Sequence, residues 1–151
     1  MKISIFRTII YFTLFASSIY PLHAQQNLDK NQLAVSGYDV VEYFNENAIS
    51  GKEMFQVEYK GAIFRFKNEL NKKSFEKSPE DFLPEYGGWC AYAMGLNGKK
   101  IEINPESFSI ENKKLYLFYR TTFTDTKKKW LKKNEKLKTK ANHNWNNLLN
   151  Q

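Results

Sequence analysis

Cys90 is the residue of this sequence whose type could carry nucleophilic or metal-binding chemistry. The thiolate form of cysteine is both the nucleophile and the soft-metal ligand, and a helix that begins near Cys90 would stabilise it through free backbone amides. Two preceding glycines would let the backbone approach a ligand closely. The other interpretation is a small buried residue, because free cysteine is among the most buried residue types. The candidate ligand-binding residues around Cys90 are Tyr86, Gly87, Gly88, Trp89 and Tyr92.

The supply of metal-ligating thiols and imidazoles is small. The sequence has one cysteine and two histidines, His23 and His143. A structural zinc site takes four ligands, mostly cysteine and histidine, so we expect no structural zinc. A disulfide within the chain is excluded because only Cys90 carries a thiol. His143 lies two positions before Trp145, and helical geometry points such neighbours in different directions, so we expect His143 on the surface.

Residues 1–24 have the pattern of a secretion signal. Lys2 and Arg7 precede an uncharged run of 15 residues, 8–22, and Ala24 supplies a small residue before the cleavage point. A membrane-spanning helix needs roughly 18 or more apolar residues, so the run is short for a spanning segment. We therefore expect cleavage and an exported protein, periplasmic or secreted, without stable membrane insertion. Nucleic acid is not an expected partner of such a protein.

The rest of the chain is predicted to form a single domain. Residues 25–32 are polar and are expected to be a flexible lead-in, whereas residues 33–151 form the domain and contain no internal repeat. This length suits one hydrophobic core. Eight lysines and two acidic residues lie between Asp125 and Gln151. They would either bind an anionic membrane surface or an acidic partner, or form a solvated face opposite a buried stripe.

Residue patterning predicts an α+β fold with two β-hairpins and short helices. Apolar residues flank Lys60 and Gly61, and glycine permits the positive φ that a tight hairpin turn needs. A second turn is expected at residues 111–113. The expected elements are strands Phe55–Tyr59 and Ala62–Phe66, a helix Asn68–Lys77, a helical turn between Pro79 and Pro84, a strand Lys100–Ile103 and a hairpin Ser107–Tyr119.

The last predicted element is a long C-terminal helix, capped by Thr124 or Asp125. Apolar residues recur along it at helical spacing, which predicts one face that docks on the sheet while the lysines point outward. The positions of this apolar stripe are Trp130, Leu137, Ala141, Trp145 and Leu148.

Five segments taken in order form a specific combination: Gly37–Phe44, Phe75–Phe82, Tyr86–Ala93, Asn104–Phe108 and Ala141–Trp145. Together they resemble the exported branch of the YHS-domain family, over about Leu33 to Leu149. The resemblance implies a small single YHS-like α+β domain, in a wider family that often binds metal through cysteines. It adds Tyr38 and Asp39, in the first segment, to the candidate ligand-binding residues.

The chain departs from the metal-binding members of that family. Where those relatives carry Phe-Cys-x-x-x-Cys, this sequence has Phe66, Lys67 and Asn71, and no cysteine lies at residues 34–37. Asn104 stands where the family commonly has aspartate, which is the better cation ligand. The resemblance therefore does not extend to the family's usual metal ligands.

Cys90 itself matches the Tyr-Gly-Gly-aromatic-Cys motif of the exported branch, in which some members carry selenocysteine. A selenol is ionised at neutral pH, so the resemblance implies redox or soft-metal chemistry at this position. Copper or another soft metal is the cofactor class that a thiolate ligand favours.

Three hypotheses follow from these observations. The first is a small binding module that handles a soft metal ion or a small ligand near Cys90, with the neighbouring aromatic residues shaping the pocket. The second is an enzyme, a thiol-dependent oxidoreductase in which Cys90 attacks a peroxide or a disulfide. Because the chain has no resolving cysteine, an external thiol would have to complete that cycle. The third is a protein-interaction domain.

Overall fold

Two β-hairpins and four α-helices make up residues 25–151, the part of the chain that this computed structural model describes. The predicted signal peptide, residues 1–24, lies outside the described residues. Within the described part, no helix combines the length and the apolar character that crossing a bilayer requires. The elements are β1 Lys52–Tyr59, β2 Ala62–Phe66, α1 Glu69–Lys77, α2 Ala91–Asn97, β3 Asn104–Glu111, β4 Lys114–Phe118, α3 Thr126–Lys132 and α4 Asn134–Leu149.

Both hairpins close with two consecutive residues of positive φ. Lys60 and Gly61 have φ of 49° and 73°, and Asn112 and Lys113 have φ of 51° and 61°. Turns of this kind match the right-handed twist of the flanking strands. Each sheet is a two-stranded antiparallel pair, β1 with β2 and β3 with β4. The two predicted hairpins and the predicted α+β class are confirmed, and β1 and β3 each begin three residues earlier than expected.

Strand β4 joins two hydrophobic clusters because successive side chains point to opposite faces. Leu115 and Leu117 enter the first cluster, and Tyr116 and Phe118 enter the second. The first cluster lies among β2, α1 and the turns at residues 35–45, and the second lies among α2, α3 and α4. Each of the four β4 side chains is at most 2% exposed.

An aromatic residue lies at the centre of each cluster. In the first, the Phe75 ring of α1 lies 4.8 Å from Phe64 and 5.1 Å from Phe66. In the second, the Trp130 ring lies 5.4 Å from Tyr116 and 5.9 Å from Phe118. Burial of such large rings dominates core energetics. The short helix expected over Asn68–Lys77 is therefore confirmed with its apolar residue inside and Asn68 as its cap.

The C-terminal helix is divided in two, which sequence periodicity did not reveal. Asp125 caps α3 by accepting a hydrogen bond from the Lys127 amide, as expected, but helical geometry ends at Lys133 and resumes in α4. Trp130 packs on β4 as predicted. The stripe of α4 instead docks mainly on α2, where the Leu137 carbonyl lies close to Gly95. The expectation that the whole stripe docks on the sheet is thus wrong for α4.

The segment expected to be a strand, Lys100–Ile103, has no regular structure. It crosses above the start of α2, where the Ile101 carbonyl accepts a hydrogen bond of 3.0 Å from the Cys90 amide. This backbone bond joins the segment to the residue before α2 and not to a strand, so the segment does not become part of a sheet. The helical turn expected between the two prolines is present at Pro79–Asp81.

The close approach of α2 and α4 yields a testable consequence. A Cβ at Gly95 would lie 2.6 Å from the Leu137 carbonyl oxygen, which is backbone and cannot swing aside. Alanine has the higher helix propensity, but we expect Gly95→Ala to lower the free energy of unfolding by about 1–2 kcal/mol, because overpacking outweighs propensity. Urea denaturation measures it. Gly95→Ser should lose more, and an increase in stability for either variant would contradict the packing argument.

Candidate functional site

The Tyr86-Gly87-Gly88 turn has three consecutive residues in the left-handed region, with φ of 55°, 60° and 83°. Positive φ suits glycine but is uncommon for a bulky residue such as tyrosine. Tyr86 is held there by burial and by its hydroxyl, which donates a 2.9 Å hydrogen bond to Asn142 Oδ1 of α4. Burial, with nearby acidic charge, also raises the pKa of Tyr86, so this hydroxyl stays a donor.

This turn holds the N-terminal segment, Gln25–Gln32. The Asn27 amide donates to the Gly87 carbonyl at 2.8 Å, and Trp89 Nε1 donates to the Gln25 carbonyl at 2.8 Å. A Cβ on Gly87 would lie 2.9 Å from both the Gln25 carbonyl oxygen and Trp145, so only glycine fits. The segment predicted to be a flexible lead-in contacts the domain in this structure, where its residues bond with the glycine turn and Trp89.

Cys90 is fully buried and forms a ring of hydrogen bonds with Tyr119 and Thr126. Its Sγ accepts from the Tyr119 amide at 3.3 Å and lies 3.5 Å from Thr126 Oγ1. The Thr126 hydroxyl donates its own proton to the Tyr119 carbonyl at 2.9 Å. With that proton engaged, the Thr126 oxygen can accept a hydrogen bond from the Cys90 thiol, while the Cys90 sulfur accepts from the Tyr119 amide.

These hydrogen bonds connect three elements of the fold. Cys90 precedes α2, Tyr119 follows β4, and Thr126 begins α3. The helix expected to start near Cys90 is present, yet the sulfur is covered on all sides. Among residues 25–151, no three His, Cys, Asp or Glu side chains are grouped so that they could hold a metal ion.

The aromatic residues around Cys90 in sequence do not form a pocket around its sulfur. Trp89 points toward the N-terminal segment, where its Nε1 bonds with Gln25. Tyr92 is half-buried, and the Lys129 ammonium lies 5.9 Å from the centre of its ring. Tyr86 packs in the second cluster beside Tyr116.

Tyr38 and Asp39 lie in the other half of the domain, against the first cluster. Asp39 is fully buried, and its Oδ2 accepts from the Lys67 amide at 2.8 Å and from Asn71 Nδ2 at 2.7 Å. The same Asn71 amide donates to Glu42 Oε1 at 2.8 Å, and Lys67 Nζ pairs with Glu42 at 2.8 Å. Asp39 is thus a structural acceptor, and the structure does not bring it together with Cys90.

The Lys67 and Asn71 side chains bond with buried carboxylates. They supply the cation and the donor that the two buried carboxylates, Asp39 and Glu42, require. Burial alone would raise the pKa of Glu42, but hydrogen bonds from Lys67 and Asn71 outweigh it and lower that pKa below its usual 4.5. This buried group is complete without a metal.

Among the described residues, a cleft lies beside the glycine turn of the predicted motif. We name it the Gly-Gly cleft; it has a volume of about 330 Å³ and lies between the N-terminal segment, the turn and the end of α4. Its walls are mostly apolar. The residues that define it are Gln25, Leu28, Phe64, Leu83, Gly87 and Trp145.

Polar groups lie at two points of this cleft. At its edge, the Tyr59 hydroxyl donates to Glu80 at 2.6 Å, and Lys60 forms an ion pair with the same carboxylate. The Lys60 ammonium and the Tyr59 hydroxyl hold the pKa of Glu80 below its usual value. In the wall, Gln25 Oε1 is buried and has no hydrogen-bond partner among the described residues.

Sequence reasoning included Gly87 and Gly88 but missed the other cleft residues. The sequence pattern marks Lys60 as a turn residue and Trp145 as part of a helical stripe, and it predicts a flexible segment that includes Gln25. The available signal was weak, because the contacts that assemble the cleft join residues far apart in the chain.

Comparisons of the chain with protein-family models, with curated proteins and with solved structures gave no match. The resemblance to exported YHS-domain proteins therefore remains a proposal.

The burial of Cys90 predicts slow reaction with thiol reagents. We expect native Cys90 to be unreactive toward a disulfide reagent until the protein unfolds, since the sulfur is covered and donates a hydrogen bond. Cys90→Ala should lower the free energy of unfolding by about 1–2 kcal/mol through lost packing and hydrogen bonding. A cysteine placed at the exposed position Met54, in the Cys90→Ala background, provides the accessible-thiol control. Equal labelling rates for the two cysteines would contradict the burial.

The lowered pKa of Glu42 predicts a particular pH dependence. Because the folded-state pKa lies below 4.5, the unfolded state takes up the proton first as pH falls. Stability from Glu42 is therefore full above pH 4.5 and is lost as pH falls through the folded-state pKa. Glu42→Gln should cost about 1–3 kcal/mol at neutral pH and flatten the loss on acidification.

Urea denaturation over an acidic pH series measures both effects. Glu76→Gln removes a carboxylate of the same type from an exposed position of α1 and serves as the matched control. If Glu42→Gln loses stability on acidification as steeply as the control does, the assignment to Glu42 is wrong.

Proposed function

We propose that this chain is an exported small binding module whose ligand is a small, mainly apolar molecule held in the Gly-Gly cleft. The observation that carries the proposal is the cleft itself, a recess of about 330 Å³ with apolar walls and a few polar groups at defined points. Small-molecule sites commonly have this volume and this composition. Export and the likeness to YHS-domain proteins belong to the same proposal and rest on the sequence.

The ligand's polar requirements follow from the groups that line the cleft. At one edge, the Lys60–Glu80 pair is placed to orient a polar substituent. The expected ligand is therefore an apolar body with a polar group.

The cleft is a better-supported location for a ligand than the Cys90 sulfur. Cys90 is inaccessible and its proton is engaged with Thr126, whereas the cleft opens beside Gly87 and Gly88 in the same motif. The glycines contribute to binding indirectly. They allow the N-terminal segment to approach closely, and that segment forms one wall of the cleft.

Filling the cleft tests the proposal. Anilinonaphthalene sulfonate, a probe with aromatic rings, a donor amine and an anionic sulfonate, should bind the wild-type protein and shift the indole N–H resonance of Trp145 in nitrogen-edited NMR spectra. Leu83→Trp places a large ring in the cleft and should weaken that binding at least about tenfold, a loss of about 1.4 kcal/mol. Leu70→Trp, at a position 72% exposed on α1, makes the same substitution outside the cleft and should leave binding unchanged.

The result that would overturn the proposal is equally specific. If Leu83→Trp binds the probe as the wild type does, or if the Trp145 resonance is unaffected at saturation, the cleft is not the binding site. Thermal unfolding of both variants distinguishes a filled cleft from a misfolded protein.

A further inference from the structure

A second concave surface lies on the opposite half of α4 from the Gly-Gly cleft. It is a groove of about 680 Å³ between the end of α2 and the junction of α3 with α4. The floor is apolar: Leu131 is 50% exposed and Leu96 is 56% exposed, with Tyr92 and Leu137 beside them. Both half-exposed leucines line the same recess, and exposed apolar surface gathered in one place is typical of an interaction site.

The rim of this groove is strongly basic. Lys132, Lys133, Lys136 and Lys140 line it, and none of them forms an ion pair with a described carboxylate. The single acidic residue in the lining, Glu135, lies 3.8 Å from Lys138, so its charge is already shared with a cation. The groove therefore presents uncompensated positive charge around an apolar floor. We name this surface the lysine groove.

We propose that the lysine groove binds an acidic amphipathic helix of a partner protein, with leucine-like side chains on the floor and carboxylates against the rim lysines. Grooves between helices bind such helices through apolar anchors spaced one turn apart. The partner's charge follows from the rim, because only an anionic segment complements four unpaired lysines. This binding is independent of the small-ligand site, since the two surfaces share no lining residue.

Two other occupants fit the geometry less well. A second copy of this chain would bring the same lysines to the contact, so like charges would oppose the approach. An anionic bilayer offers the right charge but a flat surface, whereas Leu137, 7% exposed, lies at the bottom of a recess. A helix can insert side chains into such a recess.

The test uses a fluorescein-labelled helical peptide with a leucine stripe and glutamates along both edges of the stripe. Fluorescence anisotropy should show that the purified protein binds it, more weakly as salt is raised, because exposed charge pairs are screened. A peptide with serines in place of the leucines and a peptide with lysines in place of the glutamates should each bind at least about tenfold more weakly.

Variants of the protein locate the binding. Lys132→Gln, Lys136→Gln and Lys140→Gln combined should raise the dissociation constant at least about tenfold, since each lost pair is worth up to roughly 1 kcal/mol. Leu131→Ser should weaken binding through the floor. The matched control combines Lys30→Gln, Lys52→Gln and Lys77→Gln, which removes the same charge from exposed positions outside the groove and should change binding less than about twofold.

Several outcomes would overturn the inference. Equal weakening by both triple variants, or equal binding of the serine peptide, would indicate non-specific attraction to net charge. No peptide binding, together with binding to phosphatidylserine vesicles that the groove variants abolish, would assign the surface to a lipid bilayer. Peptide-dependent loss confined to the groove variants, with no vesicle binding, supports the acidic helix.

Discussion

Strand β4 buries side chains on both of its faces, and this constraint organises the domain. Two-stranded hairpins have little stability alone, so a strand with two apolar faces needs cover on each side. Here β2 and α1 cover one face, and α2 with α3 covers the other. The turn at residues 84–88 lies along the same strand through a bridge between Pro84 and Leu115. The glycine motif thus takes its position from β4, and the Gly-Gly cleft takes its wall from the motif.

Cys90 is part of this arrangement. Where β4 ends, the Tyr119 amide has no strand partner, and the Cys90 sulfur accepts its hydrogen bond. Thr126 bonds with the carbonyl of the same residue, so both backbone groups of Tyr119 are satisfied by side chains at the starts of α2 and α3. Unpaired buried backbone groups are costly, which gives the cysteine a structural reason to be retained.

In each half of the domain, a largely buried carboxylate is paired with a lysine and with a neutral hydrogen-bond donor. In the first cluster, Asn71 donates to both Asp39 and Glu42, and Lys67 supplies the cation. In the second, Glu111 accepts from Trp130 at 2.8 Å and pairs with Lys138 at 3.1 Å. Burial opposes the charge of Glu42 and of Glu111, and hydrogen bonds outweigh it, so that each carboxyl has a lowered pKa. Each group fixes a loop or helix to the core.

Local patterns predicted the local elements well. Gly61 marked the first hairpin, Asn68 and Asp125 marked helix starts, and Trp130 marked the buried face. Contacts between distant residues were not predictable. The sequence of residues 25–32 gives no sign of their bonds to the glycine turn, and the residues near Cys90 give no sign of its hydrogen bonds with Tyr119 and Thr126. Motif type favoured a reactive thiol, but reactivity depends on exposure, which is a property of the assembled fold.

Helix α4 contributes residues of its apolar stripe to both concave surfaces. Ala141, at the middle of the stripe, is fully buried and brings the helix close to its neighbours. On one side of it Leu137 reaches the floor of the lysine groove, and on the other Trp145 reaches the Gly-Gly cleft. The rise between these two residues is about 12 Å along the helix. A small buried side chain in the middle of the stripe therefore lies between the larger ones that line a recess at either end.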